Sequence, residues 1–126
     1  MILYAATSAK DTDFTAKVVD VHPNGKAYNL CDGIVRARWR NSRSKPDLIE
    51  PDKTYRYEID LWVTSNLFKP EHRIRVEISS SNFPRFDRNP NSGLPFGSDT
   101  ELLRATQTIF HGAERASHIL LPVIPR

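Results

Sequence analysis

Apolar and polar residues alternate with a period of two along much of the chain, which is typical of strands whose two faces meet different surroundings. The alternation is clearest between residues 54 and 63. One face there carries Tyr55, Tyr57, Ile59, Leu61 and Val63, and the other carries Arg56, Glu58, Asp60 and Trp62. The same pattern predicts strands over 34–40 and 73–79, each with an apolar and a charged face. All three are expected to be half-buried antiparallel strands.

Weaker alternation predicts further strands at 2–7, 14–21, 105–110 and 117–123, about seven in all. Turn residues separate them, including an Asn24-Gly25 pair that can supply a positive φ and a polar run over 41–53. Helical periodicity is nearly absent, and only 66–71 is expected to form a short helical turn, which Pro70 limits. Many short strands without crossover helices predict an all-β sandwich or jelly roll.

A long irregular segment over 80–101 interrupts this rhythm with prolines, glycines, charges and amides. A loop of about 20 residues is uncommon inside a compact domain and is usually functional or disordered. Its apolar side chains argue against disorder: Phe83, Phe86, Leu94 and Phe96. We therefore expect this segment to dock on another surface.

The length of 126 residues and the mass of 14.4 kDa suit one globular domain. The single cysteine, Cys31, cannot close an internal disulfide and is expected to be a small buried hydrophobe. The sequence contains no apolar run long enough for a membrane span and no signal-peptide pattern, so a cytoplasmic protein without membrane contact is expected. The net charge of +3 comes from interleaved charges and does not imply nucleic acid.

Candidate catalytic and metal-binding patterns are weak. The Gly-x-Ser-x-Gly motif of α/β hydrolases does not occur, and the four histidines, His22, His72, His111 and His118, fall at predicted strand ends. A Ser–His pair could still form in space, but turns and strand ends explain these residues more simply. His111 and His118 lack zinc-site spacing, and Asp11-x-Asp13 lacks the glycine and distal glutamate of a calcium loop. We expect no metal and no cofactor.

A row of arginines would form a positive stripe on one strand face: Arg36, Arg38 and Arg40. Such a stripe suits phosphate groups, but single-strand nucleic-acid sites also need interleaved aromatic residues, and Trp39 points the other way. A solvated or interface face is the preferred interpretation. Cross-strand acidic partners such as Glu58 or Glu77 would then balance the charge.

Several motifs in order resemble the C-terminal domain of the CocE/NonD hydrolases, the family of X-Pro dipeptidyl-peptidases, cocaine esterases, glutaryl acylases and α-amino-acid ester hydrolases. They are DTDFTAK at 11–17, VDVHPNG at 19–25, LCDGIVRAR at 30–38, HRIRVEISSSNFPRFDRN at 72–89, QTIFH at 107–111 and SHILLPVI at 117–124. The resemblance covers nearly the whole chain. It implies a jelly-roll β-sandwich, in agreement with the periodicity.

The resemblance also implies that the Ser-His-Asp triad lies in a separate α/β-hydrolase domain with a helical cap. No triad member maps onto this chain, so the chain alone is expected to be inactive. The family's jelly roll begins several strands earlier, so residues 1–126 are expected to be the C-terminal part of that domain, lacking its first strands. A homo-oligomer is expected to cover the strand edges and apolar face left open.

The favoured function is a non-catalytic domain of a serine hydrolase acting on ester or amide bonds, which buttresses the catalytic domain and shapes its pocket. The predicted interdomain loop residues are Asn82, Phe83, Arg85, Phe86, Asp87, Arg88 and Asn89, with Asp11 and Asp13 in a supporting turn. Alternatively, the charged loop residues only brace their own loop. A second alternative is a free-standing jelly-roll module for a polar ligand such as a carbohydrate, with Trp62 as its platform.

Overall fold

The computed structural model describes residues 1–125 and forms two three-stranded antiparallel sheets. The strands are β1 (Ile2–Thr7), β2 (Asp13–Val21), β3 (Ala27–Arg36), β4 (Tyr55–Glu58), β5 (Arg73–Ser79) and β6 (Gln107–Phe110), with 3-10 turns at Ala37–Trp39 and Ala113–Arg115. One sheet has the order β4-β1-β6 and the other β3-β2-β5. The two sheets form a sandwich, so the predicted all-β class is confirmed.

The core lies between the two sheets, where inward-facing side chains of β1 and β4 meet those of β2. Its fully buried members include Leu3, Ala5, Phe14, Ala16 and Tyr57. The rings of Phe14 and Tyr57 lie 4.8 Å apart between centroids, so one aromatic contact joins the sheets. The inward positions recur every second residue along β1 and β2, as the alternation predicts.

One glycine allows β3 to approach the chain that follows β4. A Cβ atom added at Gly33 would lie 1.9 Å from the carbonyl oxygen of Asp60, far inside van der Waals contact. Only a residue without a side chain can therefore occupy this position. The contact fixes the start of the segment after β4 against the opposite sheet.

The prediction of a strand over 34–40 is wrong at its C-terminal half, because β3 ends at Arg36 and a 3-10 turn follows. The Ala37 amide donates to the Thr12 carbonyl at 2.8 Å, and the Arg38 amide donates to Asp11 Oδ1 at 2.9 Å. These bonds to the turn before β2 replace strand pairing. Alternation alone cannot detect them, since the donors and acceptors are 25 or more residues apart.

The strand predicted over 54–63 is also shorter, since β4 covers only Tyr55–Glu58. Tyr57 and Ile59 are fully buried, as the alternation predicts. Trp62 has a φ of +64°, which interrupts the extended backbone, and Val63 on the predicted core face is 93% exposed. The apolar pattern therefore continues beyond the sheet that buries it.

The remaining predictions had mixed outcomes. The bounds of β1 and β5 are confirmed, β2 begins one residue early, and β6 is shorter than predicted. The segment 117–123 is not a strand and makes a single bridge, between His118 and Ile2. The helical turn predicted over 66–71 does not form, and a tight turn with Glu71 at a φ of +68° occurs there instead.

The turn between β2 and β3 follows its predicted chemistry. Gly25 has a φ of +84°, and its amide donates to the His22 carbonyl at 3.0 Å. Cys31, expected to be buried, is only half-buried on β3. Partial burial and the nearby negative charge of Asp32 raise the pKa of its thiol. Within residues 1–125, no helix has the length and apolar character needed to cross a bilayer.

Candidate functional site

Two buried carboxylates lie where β2 begins, Asp11 in the preceding turn and Asp13 as the first residue of the strand. Asp11 is 0% exposed and Asp13 is 1% exposed, which is rare for an acidic residue without a cationic partner. Arg38 Nε donates to Asp11 at 2.7 Å, and Arg36 binds Asp13 through two nitrogens at 2.8 and 3.1 Å. The hydrogen bond to Asp13 raises the pKa of Arg36. These charge-assisted bonds compensate the two carboxylates for lost hydration.

The predicted arginine stripe is wrong, because the three guanidinium groups face different aspartates of the same chain. Arg40 pairs with Asp47, in addition to the pairs that Arg36 and Arg38 make. The proposed acidic partners are engaged elsewhere: Glu58 pairs with Arg56 and Glu77 pairs with Arg75. The cause is the end of β3 at Arg36, which removes the common strand face.

The long segment 80–101, called the bracing loop below, is attached to these buried carboxylates. Its Asn89 side-chain amide donates to Asp11 Oδ2 at 3.0 Å and to Asp13 Oδ1 at 2.9 Å. Arg38 extends past Asp11 and donates to the Leu94 carbonyl at 2.8 Å. The loop therefore docks on its own sandwich through polar bonds.

A second attachment holds the first half of the bracing loop to β3. Asp32, itself buried, accepts one hydrogen bond from Asn82 at 3.0 Å and forms an ion pair with Arg85 at 3.1 Å. Arg88 lies over the ring of Phe83 at 4.4 Å, within the loop. Asn82 and Asn89 are half-buried, whereas Arg85 reaches Asp32 from an exposed position. Phe83, Asp87 and Arg88 stay exposed, and Phe86 is half-buried.

Two adjoining clefts lie beside the bracing loop. The first, about 300 Å³, is lined by residues that include Arg36, Trp39, Asn89 and Phe96. The second, about 400 Å³, is lined by residues that include Phe83, Asp87, Arg88 and Asp99. Neither cleft has a histidine or cysteine among its described lining residues. Their apolar walls and charged rims suit binding by contact.

The structure also brings together three residues that the sequence did not predict to meet: Asp20, His22 and His72, at the end of β2 and the start of β5. The Asp-x-His spacing, which places Asp20 and His22 on one strand face, was the only local signal. The position of His72 follows from strand pairing and has no local signal. His111 and His118 are both exposed, and His118 bridges to Ile2.

Besides the bracing loop, where Phe96 is 68% exposed, two segments carry large apolar side chains that are each more than 60% exposed. They are Trp62, Val63 and Leu67 in the segment 60–67, and Leu120, Val123 and Ile124 in the segment 119–124. Exposed apolar patches of this kind often mark interaction sites. Trp62 is exposed as the carbohydrate alternative requires, but the exposed neighbours that follow it are aliphatic, which suits protein contact better.

Both segments leave the sheet at the end where β1 begins. Ile59 and Met1 exchange hydrogen bonds at 2.9 and 2.7 Å, and His118 and Ile2 exchange two at 2.9 Å. Beyond these bonds, the segments 60–67 and 119–124 extend past the first residue of β1, one on each side of that strand. We call residues 60–67 and 119–124 together the apolar end surface.

Comparison with known families gives one match that covers almost the whole chain. Residues 1–120 match the family described as the X-Pro dipeptidyl-peptidase C-terminal non-catalytic domain. The chain belongs to this family. The resemblance noted from the motifs is thereby confirmed.

Individual relatives agree with this family. The chain is 51% identical over 126 residues to cocaine esterase of Rhodococcus sp. (strain MB1 Bresler), covering 98% of this chain and 22% of that protein. An aminopeptidase structure from the marine sediment archaeon Thaumarchaeota archaeon matches with 35% identity and a TM-score of 0.84, covering 90% of this chain and 21% of that one. An α-amino acid ester hydrolase structure matches with 31% identity and a TM-score of 0.82, covering 90% and 20%. The chain therefore spans about a fifth of the length of these relatives.

Proposed function

We propose that this chain is the accessory β-sandwich of a serine hydrolase that acts on ester or amide bonds, and that it packs against an α/β-hydrolase catalytic domain. The names of its relatives support this substrate class, since they include an esterase, an ester hydrolase and an aminopeptidase. The family description as non-catalytic supports a role by contact. The reacting groups would then belong to the catalytic domain.

The observation that carries this proposal is the apolar end surface. Six large apolar side chains are mostly exposed there, while the same sandwich buries two carboxylates completely at the turn before β2. Burying such a surface against a partner is favourable by roughly 25 cal/mol per Å² of apolar area removed from water. A catalytic domain in the same polypeptide is the partner that we propose.

The bracing loop would contribute the edge of the substrate pocket. Its outward residues, Phe83, Asp87 and Arg88, are available for contact, and Phe83 with Arg88 forms a stacked pair of suitable chemistry for an interface. Asn82, Arg85 and Asn89 would act as positioning residues, because their bonds go to Asp32, Asp11 and Asp13 of the sandwich. We assign Phe86 to the inner packing of the loop.

A chimera tests the proposal directly. The segment of the Rhodococcus cocaine esterase that aligns with this chain, 22% of that protein, is replaced by residues 1–126. We expect the chimera to fold as one unit and to retain esterase kcat/KM within about tenfold of the parent, because 51% identity should preserve most interface contacts. A folded chimera whose sandwich is released by limited proteolysis as a separate unit would overturn the docking proposal.

Variants of the chimera locate the interface. Trp62→Glu and Val63→Glu place charges in the apolar end surface and should lower the thermal midpoint and kcat/KM of the chimera. Lys26→Glu, on the exposed turn between β2 and β3, is the matched control and should change neither. An equal effect of all three variants would contradict the assignment of this surface.

We further propose that the isolated chain forms homo-oligomers through the same surface when no catalytic domain covers it. Sedimentation of the chain should show concentration-dependent association, and Trp62→Glu should shift it to monomer. A monomer at millimolar concentration would contradict this part alone. The cytoplasmic location expected from the sequence stays a prediction.

A further inference from the structure

The strongest cluster of titratable groups outside the interfaces above lies where β2 ends and β5 begins. Val21 of β2 pairs with Arg73 of β5, which places the next residues, His22 and His72, across from each other. Their rings lie 4.1 Å apart between centroids with an interplanar angle of 40°. The antiparallel register thus brings together two imidazoles that are 50 residues apart in sequence.

Asp20 completes the cluster from the same face of β2. Its two carboxylate oxygens lie 2.9 and 3.1 Å from His72 Nδ1, and one of them lies 3.7 Å from His22 Nε2. One ligand atom from each of the three residues lies within 4.8 Å of the others. Two imidazole nitrogens and a carboxylate oxygen form a donor set typical of zinc sites with three protein ligands.

The three side chains of the cluster differ in burial. The side chains of Asp20 and His72 are 7% and 10% exposed, and that of His22 is 33% exposed. The Tyr28 ring, 4.8 Å from that of His22, flanks the cluster on the β3 side. An ion could therefore enter past His22 while the other two ligands stay fixed in the sheet. A position facing solvent would remain for water or a further ligand.

We propose that Asp20, His22 and His72 bind a divalent transition metal ion, with Zn²⁺ as the reference ion. Zinc bonds to nitrogen and oxygen are roughly 2.0–2.2 Å long, so His22, the most exposed member, must rotate inward to close the site. The ion takes the place of the proton between His72 Nδ1 and Asp20, and His72 then carries its proton on Nε2. The bound ion joins β2 to β5.

The competing explanation is an Asp–His hydrogen bond with a second histidine stacked on it. That arrangement uses the same residues and needs no ion. It predicts that His22 contributes only packing, whereas the metal site requires His22 as a ligand. Zn²⁺ titrations of variants at His22, at His72 and at a histidine outside the cluster separate these explanations.

The experiment uses the purified 126-residue chain, treated with chelator and then titrated with Zn²⁺ in a calorimeter. We expect one ion per chain and a dissociation constant in the micromolar range or tighter. His22→Gln and His72→Gln should each weaken binding by roughly 30-fold or more, since each removes one of three ligands. His111→Gln, at an exposed site outside the cluster, should leave the dissociation constant within twofold.

Folding is checked in parallel by far-ultraviolet circular dichroism. His72→Gln removes a hydrogen bond to buried Asp20 and is the more disruptive change. If that variant unfolds, the affinity of His22→Gln for Zn²⁺ alone tests the proposal. Millimolar or weaker binding by the wild-type chain would overturn the proposal. Binding that His22→Gln leaves unchanged, or that His111→Gln weakens equally, would also overturn it.

Discussion

The bracing loop and the apolar end surface are both irregular and both expose large apolar side chains, but the loop is also bonded to buried carboxylates of the sandwich. Two amide side chains of the loop turn inward: Asn89 donates to Asp11 and Asp13, and Asn82 donates to Asp32. The apolar side chains of the apolar end surface are the more exposed, up to 93% at Val63 against 68% at Phe96 of the loop. A segment without regular structure can therefore be fixed by its own domain or left for another one to cover.

Charge explains the difference. Three buried carboxylates, Asp11, Asp13 and Asp32, offer strong acceptors to any donor that reaches them, and the bracing loop supplies amides and a guanidinium group. The aliphatic side chains of the apolar end surface carry no polar groups that could form such bonds. Its side chains gain only by leaving water, which requires a large partner. The inner network thus stabilises this domain, and the outer surface is suited to association.

The largest effect is expected from breaking the inner network at Asp13. Asp13→Ala leaves Arg36 without its bidentate partner and should reduce the free energy of unfolding by about 3–5 kcal/mol, as for other buried pairs that lose one member. Urea unfolding followed by circular dichroism measures the change. Glu77→Ala, which breaks an exposed pair with Arg75, is the control and should have an effect near experimental error.

An intermediate effect is expected from releasing the loop alone. Asn89→Ala removes one donor shared by two buried carboxylates and should cost about 1–2 kcal/mol. Hydrogen exchange should accelerate within residues 80–101 and stay unchanged in 60–67. Equal acceleration in both segments would show that the two regions are coupled and that Asn89 does not hold the bracing loop alone.

The hydroxyl of Tyr57 is buried and, unlike the buried aspartates, makes no hydrogen bond within the described residues. Its removal measures what an unpaired buried polar group costs in stability. Tyr57→Phe should raise stability at pH 7 by up to about 1 kcal/mol, since an unpaired hydroxyl is lost and the ring stays in the core. Urea unfolding at pH 7 checks this. A loss of more than 1 kcal/mol would indicate that the hydroxyl has a favourable role.

The same variant has an alkaline signature. Burial raises the pKa of Tyr57 above its ordinary value of 10.0, so the folded state keeps the phenol proton where the unfolded state loses it. Wild-type stability should therefore fall as pH rises above 10, by up to about 1.4 kcal/mol per pH unit from this group. Between pH 10 and 12, the stability of the Tyr57→Phe variant should fall less steeply than that of the wild type. If the stabilities of the two proteins fall in parallel with pH, Tyr57 is not the source of the alkaline loss of stability.

The smallest effect on the domain itself is expected in the apolar end surface. Trp62→Ser should change the free energy of unfolding of the isolated chain by less than about 0.5 kcal/mol, because the side chain is 76% exposed. Thermal unfolding at low protein concentration measures it. A loss above 1 kcal/mol would mean that Trp62 packs within the domain and does not await a partner.

The sequence by itself determined the strands whose apolar and polar residues alternate. β1 and β5 have their predicted bounds, and the buried positions Tyr57 and Ile59 follow from the period of two. Gly25 at a positive φ likewise follows from local turn chemistry. These features depend on residues that are close in sequence, so a local pattern suffices to predict them.

Only the tertiary structure decided where strands stop and which side chains meet. β3 ends at Arg36 because Asp11 and Thr12 bind the backbone that follows, and Asn89 reaches the same carboxylates from the other end of the chain. His72 meets His22 through the pairing of β2 with β5. Such contacts are set by the packing of distant segments, to which no local periodicity corresponds.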